Sequence, residues 1–334
     1  GYHKKAGTPH AEVHALRQAG EATRGATLYV NLEPCCHQGR TPPCTEAIIK
    51  AGTKRVVVAH LDPNPLMGGK GVERLRQAGI EVTTGVLKKE ALLLNEVFVK
   101  HITTGRPFGV LKMAMTLDGK IATVTGDTRW ISGPEARVMV HQLRDRYDAI
   151  MVGINTIIHD DPLLTTRLVD QTGQDPIRII LDSRLRISPG ARVCNLESGA
   201  PTIVITTSFY DPVRRKELES MGIEVLVLGG DGKQVDLQCL MEVLGAREVT
   251  SILIEGGAGV AYSSLEAGIV DKLHWFIAPK IVGGKEAPGP VGGKGLALLS
   301  QAWEFGKMDM KKYGHDVLIT TYPQRKGVQT CLQV

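Results

Sequence analysis

Aromatic residues are scarce in this chain, at 4% of 334 residues. Proteins that hold single-stranded nucleic acid stack bases on aromatic side chains, and this composition offers few such platforms. No long basic run compensates, and the formal net charge is +5. That mild excess suits anionic small molecules and argues against a nucleic-acid partner. No apolar run reaches the ~20 residues that a membrane-spanning helix needs, and no secretory signal is recognisable. The expectation is a cytoplasmic protein with no membrane partner. Cysteine is sparse too: Cys35, Cys36 and Cys44 cluster, while Cys194, Cys239 and Cys331 stand singly. A metal site plus ordinary reduced thiols explains this better than a disulfide framework.

What is present is ordinary for a globular protein, with 43% hydrophobic and 22% charged residues. The length suggests two domains, each able to bury its own core. Residues 10–20 (HAEVHALRQAG) have helical apolar spacing closed by glycine, and TLYVNL (27–32) reads as a strand. After the loop HQGRTPP comes a short helix, CTEAIIKAG (44–52), with Thr45 offering N-terminal capping. RVVVAH (55–60) reads as a buried strand, ended by the turn residues Asp62-Pro63-Asn64-Pro65. A further helix and strand run to about Val86. HITTGRP (101–107) reads as a linker. Beyond it the rhythm restarts, with strands at VLKMAM, AIMVG, IRIILD, TIVIT, EVLVLG, SILIEGG and KLHWFIAPKIVGG and a helix over 134–146. Both halves are therefore expected to be α/β, with helices packed on a parallel or mixed sheet.

The first chemical motif is His10-Ala11-Glu12, followed by Pro34-Cys35 and Cys44. One imidazole and two thiolates give zinc three protein ligands and leave a position for water, the open arrangement of a catalytic site. A carboxylate at Glu12 can carry a proton from that water to a departing amine. Zinc deaminases combine a His, a non-ligand Glu and two Cys in this way. Cys36 is expected to point away, because a fourth protein ligand would close the site. Nucleic-acid-editing deaminases place their cysteines two residues apart, whereas here eight residues intervene.

The stretches GYHKKAGTPHAEVHAL, LEPCCHQGRTPPC and DPNPLMGGKG resemble the deaminase half of the bifunctional riboflavin-biosynthesis deaminase/reductases. The resemblance implies a cytidine-deaminase-like domain over residues 1–103, acting on a diamino-pyrimidinone that carries a ribosylamino 5′-phosphate. It implies that His10, Cys35 and Cys44 hold zinc, that Glu12 transfers protons, and that His3 and His37 contact substrate. Arg40, Asp62 and Asn64 would lie near the ribose phosphate, which a guanidinium can pair bidentately. The alternatives are a solvated loop charge for Arg40, a plain turn for Asp62 and Asn64, and an exposed terminal residue for His3. The family's deaminase half begins with a helix and strands ahead of the GYH stretch, so a chain opening at Gly1 is expected to be an N-terminally cropped one.

Across the second half, LKMAMTLDGKIA, GDTRWISGPEAR, VHQLRDRYDAIMVGINTIIHDDPLLTTR, PIRIILDS, ILIEGGAGVAYSSL and FIAPKIVGG resemble the same family's reductase domain. The implied fold is a dihydrofolate-reductase-like α/β domain over 107–334, using NADPH to reduce a ribosyl group to a ribityl chain. By that resemblance Lys112 reaches the sugar, and Thr128, Arg144, Leu164, Arg167 and Glu255 contact substrate. Trp130, Thr156, Asp160, Ser183 and the run Gly257, Ala258, Gly259, Val260, Ala261, Tyr262, Ser263 would bind the cofactor. The glycines after a buried strand would let backbone N–H groups and a helix N-terminus approach a phosphate. Trp130 could instead be core, and Asp160-Asp161-Pro162 a plain helix stop. Thr128 stands where serine is common in the family; the hydroxyl is retained.

The resemblance implies as partners phosphorylated pyrimidines and further copies of the chain, joined through the reductase half. The alternatives are a single-function NADPH reductase with an inactive first domain, a nucleic-acid deaminase, and a closed zinc module with a fourth protein ligand.

Overall fold

The computed structural model describes residues 1–3, 7–39, 41–64, 67–169, 171–229 and 234–324. They divide into two units, one of residues up to 104 and one from 105 onward.

The first unit runs α1 (Ala11–Ala19), β1 (Thr27–Val30), α2 (Cys44–Lys50), β2 (Arg55–Val58), α3 (Lys70–Gln77), β3 (Glu81–Thr84), α4 (Lys88–Leu94) and α5 (Glu96–Thr104). Its strands form a parallel sheet in the order β1-β2-β3. Parallel neighbours need crossover connections, and α2 and α3 supply them. Ile48 of α2, Val56 and Val58 of β2, Val72 and Leu75 of α3, and Ile80 form the core.

Two local expectations are corrected here. Residues 101–104, read as part of a linker, are the last turn of α5. The run VFVKHITT is rich in β-branched residues of modest helix propensity, but burial of Glu96 and Val99 holds it helical. Thr45 does not cap α2: Pro43 is the N-cap, with no side-chain bond, and the Thr45 hydroxyl is buried without a partner.

The second unit runs β4 (Phe108–Thr116), α6 (Pro134–Arg146), β5 (Ala149–Gly153), α7 (Ile154–Asp160), β6 (Ile177–Leu181), β7 (Thr202–Thr206), α8 (Pro212–Ser220), β8 (Glu224–Val227), α9 (Leu237–Ala246), β9 (Ser251–Glu255), α10 (Ala258–Glu266), β10 (Lys272–Ala278), β11 (Asp309–Tyr313) and β12 (Asp316–Thr321). Among the described residues these strands form one sheet, in the order β11-β12-β10-β4-β9-β5-β6-β7-β8. All neighbouring pairs are parallel except those of β12, which is antiparallel to β10 and β11. The continuous apolar runs of β5, β7 and β9 are buried along most of their length, as strands covered on both faces must be. The run beginning at Lys272 is strand only to Ala278, since Pro279 has no N–H to continue the ladder. Open parallel sheets place ligands beyond the carboxyl ends of their strands. Here the ends of β9 and β5, with the second half of β4, border the large cavity described below.

Candidate functional site

In the first unit, His10 is the N-cap of α1, with extended backbone (φ −70°, ψ 167°). Its Nδ1 lies 3.2 Å from the sulfur of Cys44, the first residue of α2, and 3.5 Å from that of Cys35. The three ligand atoms lie within 4.8 Å of one another. Cys35 is held by the start of α2: its sulfur accepts the Cys44 N–H (3.3 Å) and its carbonyl the Thr45 N–H (3.1 Å). The sequence suggested a capping hydroxyl, and the structure uses a thiol and a carbonyl instead. Cys36 lies outside the cluster of ligand atoms.

The electrostatics favour a cation among these groups. The Cys44 thiol hydrogen-bonds Cys35 and, with the Cys44 N–H and His10, lowers the Cys35 thiol to about 5. The same pairing, together with burial and the nearby Glu12 carboxylate, pushes Cys44 upward. The pairing thus favours a thiolate on Cys35 beside a thiol on Cys44. A compact, soft imidazole and thiolate set fits zinc. Glu12 sits beside the Cys44 thiol, and its carboxyl is raised, chiefly by burial.

The His3 ring meets that of His10 edge-on, 5.1 Å between centroids. His37 is exposed, close enough to Asp62 for its charge to act on that carboxyl. Burial raises the Asp62 carboxyl, while Oδ1 accepts the Asn64 N–H at 2.9 Å, closing an Asx turn. Arg40 lies outside the described residues.

Sequence reasoning missed Glu33. It is 3% exposed, yet no arginine or lysine side chain is hydrogen-bonded to it among the described residues. Three backbone N–H groups are its partners: Asp62 and Gly69 on Oε2 and Val72 on Oε1, each at 3.0 Å. Gly71 is needed beside it, because a Cβ there would lie 2.0 Å from the Pro34 carbonyl. One side chain thus ties the Cys35 segment to the Asp62 turn and to the start of α3. Behind it, the Glu33 N–H bonds the His60 carbonyl (3.0 Å), and the His60 ring lies 2.8 Å from the Asn95 amide. Glu33→Gln would set an amide donor against these N–H groups, at a cost of about 1–3 kcal/mol. Faster hydrogen exchange at the amides of 62, 69 and 72 is the expected result, and unchanged exchange would show that the carboxylate is not what orders this loop.

In the second unit a cavity of about 850 Å³ is bordered by Lys112, Thr128, Arg144, Leu164, Arg167 and Glu255, and also by Trp130, Thr156, Asp160 and Gly257. Its charged centre is Glu255. Arg144 donates to it through Nε (2.8 Å) and Nη2 (3.0 Å), and Lys112 Nζ lies 3.6 Å away. Lys112 and Glu255 are register partners on β4 and β9, which explains their meeting across the sequence. Burial alone would raise the Glu255 carboxyl, but Arg144 and Lys112 hold it at about 2. Asp160 accepts the Thr128 hydroxyl (3.1 Å) and offers its carbonyl to Arg129 (2.9 Å). Trp130 is not core: it is 64% exposed, with the Arg137 guanidinium 4.7 Å from its ring centre. Asp160 both ends α7 and lines the cavity, so the helix-stop reading and the site reading are compatible.

Ser183 and residues 258–263 are not among the lining residues. The Ser183 carbonyl accepts the Thr207 hydroxyl (2.8 Å), and the Ala261 and Tyr262 side chains are buried. A molecule in the cavity would meet α10 through backbone N–H groups at its start, where Gly257 is the N-cap, rather than through these side chains. Among the other lining residues, His141 and Arg192 are titratable groups that escaped sequence reasoning. The signal available for His141 was its position one helical turn before Arg144.

Comparison with known proteins bears on both units. The family model described as the cytidine and deoxycytidylate deaminase zinc-binding region matches residues 1–60, and that described as the RibD C-terminal domain matches 107–319. The chain is thus an enzyme that joins a cytidine-deaminase-like zinc-binding domain to a dihydrofolate-reductase-like, NADPH-dependent reductase domain. Riboflavin biosynthesis protein RibD of Aquifex aeolicus is 49% identical over 319 residues, covering 96% of this chain and 86% of that protein. RibD of Actinobacillus pleuropneumoniae is 44% identical over 319 residues, covering 96% and 84%. The solved structure of Acinetobacter baumannii RibD, form 1, superposes with a TM-score of 0.84 at 37% identity, covering 97% of this chain and 88% of that one. The chain belongs to the RibD family, the bifunctional deaminase/reductases of riboflavin biosynthesis.

Proposed function

We propose that residues 1–103 hydrolytically deaminate 2,5-diamino-6-(5-phosphoribosylamino)pyrimidin-4(3H)-one, and that residues 107–334 reduce the ribosyl group of the resulting 5-amino-6-(5-phosphoribosylamino)uracil to ribityl. The observation that carries the first assignment is the convergence of His10, Cys35 and Cys44 within 4.8 Å, with Glu12 beside Cys44. A solved relative from Thermotoga maritima, 38% identical with a TM-score of 0.81, bears both activities in its name.

His10, Cys35 and Cys44 would hold zinc, which when bound supplies the Lewis acidity that makes water a nucleophile at neutral pH. Glu12 takes the water's proton and delivers it to the departing amine, a task suited to a carboxyl raised by burial. His3 and His37 border the pyrimidine. Asp62 and Asn64 face its ribose phosphate, with Glu33 ordering the Asp62 turn, and Arg40, outside the described residues, is assigned to that phosphate from the family resemblance alone. In the second domain NADPH supplies the reducing equivalents, and the protein supplies orientation and charge. Lys112 is aimed at the sugar by its neighbour Glu255, while Thr128, Arg144, Leu164 and Arg167 complete the substrate wall. Trp130, Thr156, Asp160, Ser183 and the backbone of 257–263 receive the cofactor. Cytoplasmic residence agrees with the free thiols and with the absence, among the described residues, of a helix long and apolar enough to cross a membrane. A homo-oligomer through the reductase half is supported by the sheet-edge strand β11, where Met310 is 73% exposed.

Metal analysis tests the assignment of the ligands. The purified chain is expected to hold about one zinc per chain, and Cys35→Ala to lose both zinc and ammonia release. Zinc retained at full occupancy in that variant would remove Cys35 from the ligand set.

A further inference from the structure

Two hydrogen-bond donors face each other in the reductase cavity with no carboxylate hydrogen-bonded to either among the described residues. The backbone N–H of Arg167 donates to Nδ1 of His141 at 3.2 Å. A neutral imidazole has one N–H, so accepting at Nδ1 places the proton on Nε2. That Nε2 lies 3.4 Å from Nη2 of Arg167, which can only donate. Neither group can satisfy the other, and both line the cavity.

The surroundings are cationic. Arg144 lies on the same helix, one turn along, but its charge is spent on the Glu255 carboxylate. Arg167 forms no ion pair with a carboxylate among the described residues; it is repelled by Arg144 and Arg192, with Asp175 attracting it from a distance. The Thr165 carbonyl hydrogen-bonds the His141 ring and also takes the Arg144 Nη1 at 3.2 Å, while the Thr165 hydroxyl takes the Arg167 Nη1 at 3.0 Å; these neutral groups bring no counter-charge. Burial, then Arg144 and Arg167, outweigh Glu255 and hold His141 at about 4, so the ring is neutral at physiological pH.

We propose that His141 is a ligand for a phosphate monoester in the reductase cavity, donating from Nε2 beside the Arg167 guanidinium. A phosphate monoester supplies several acceptor oxygens and the negative charge that this cationic corner lacks. The inference rests on the reading that Arg167 contacts the reductase's ligands. Two molecules in the reaction carry such a group: the phosphoribosyl substrate, and NADPH at its 2′-phosphate.

Two substitutions in the full chain separate ligation from mere support of the Arg167 backbone. His141→Gln keeps a donor near the Nε2 position and gives up the acceptor at Nδ1. His141→Asn keeps an acceptor near Nδ1 and gives up the distal donor. The expected result is that His141→Asn raises KM for the phosphoribosylaminouracil, and the inhibition constant of ribose 5-phosphate, by roughly 10- to 100-fold. Inhibition by ribose should not change, and His141→Gln should recover most of the loss. If the group bound is instead the 2′-phosphate, the same pattern appears in KM for NADPH and not for NADH, and the ligand assignment stands with the cofactor as its source. The reverse order, with Asn tolerated and Gln impaired, would show that His141 only props the Arg167 backbone and overturns the proposal; no change in either variant also overturns it. Should neither variant fold, nitrogen-15 spectra of the native chain titrated with ribose 5-phosphate decide, since the proposal requires one neutral histidine N–H to shift. Arg167→Met guards the premise. If it leaves every KM unaltered, the reading of Arg167 fails; if it raises KM while His141→Asn does not, only the His141 proposal fails.

Discussion

Glu12→Gln is expected to lower ammonia release by about 10²–10⁴-fold, the usual contribution of a positioned general acid–base, while zinc content and NADPH consumption on pre-deaminated substrate stay at native levels. The reason is geometric. Glu12 lies two residues past His10 and beside the Cys44 thiol, yet it is outside the His10, Cys35 and Cys44 cluster that could hold a metal. Gln preserves its volume and helix position but cannot accept and return a proton. Loss of zinc in the variant would mean that the carboxylate holds the ligands rather than moving protons, and native ammonia release would remove Glu12 from the reaction altogether. Because reduction is followed in the same tube, a folding defect of the whole chain is separable from a defect confined to the first unit.

The second large effect belongs to the reductase cavity. Glu255→Gln leaves Arg144 and Lys112 without their shared counter-charge in a place where both are mostly buried. Removing one partner of a buried ion pair costs about 3–5 kcal/mol, since the remaining charge is uncompensated. Unfolding of this unit can be followed by itself, because Trp130, Trp275 and Trp303 all lie in it and the first unit has no tryptophan. Reductase activity should fall with stability, because Lys112 loses the group that aims it. The pH dependence has a definite sign. The Glu255 carboxyl is held at about 2, below its ordinary 4.5, so its contribution is complete above that ordinary value and disappears as pH falls toward 2. The stability gap between native chain and variant should therefore narrow across that acid window, and a gap independent of pH would mean the carboxylate charge is not what stabilises the cavity. Arg144→Met added to Glu255→Gln should restore part of the loss, as removal of both members of a buried pair does.

Local chemistry was open to sequence reasoning. The buried strands β2, β5, β7 and β9 are short apolar runs bounded by turn residues, and α1 closes on Gly20 as its spacing requires. The trio His10, Cys35 and Cys44 stood out because imidazoles and thiols are sparse in this composition and few structural roles demand them in that order. Local propensity failed where packing decides. The β-branched run of α5 is helical because Glu96 and Val99 are buried, and β11, polar and exposed, is a strand because β12 pairs with it.

By itself, then, the sequence determined which reactive groups this protein carries, where its buried strands run, and that a metal-binding set lies near one end. Only the tertiary structure decided who meets whom. Glu33 carried no sequence signal; backbone N–H groups 29 to 39 residues away close on it. Arg144 meets Glu255 across 111 residues because α6 packs on the face where β4 and β9 align Lys112 with Glu255. The tautomer of His141 follows from one backbone N–H, 26 residues further on. Side-chain identity is a property of each position, whereas burial, charge pairing and proton placement are set by neighbours that sheet register and helix packing bring together.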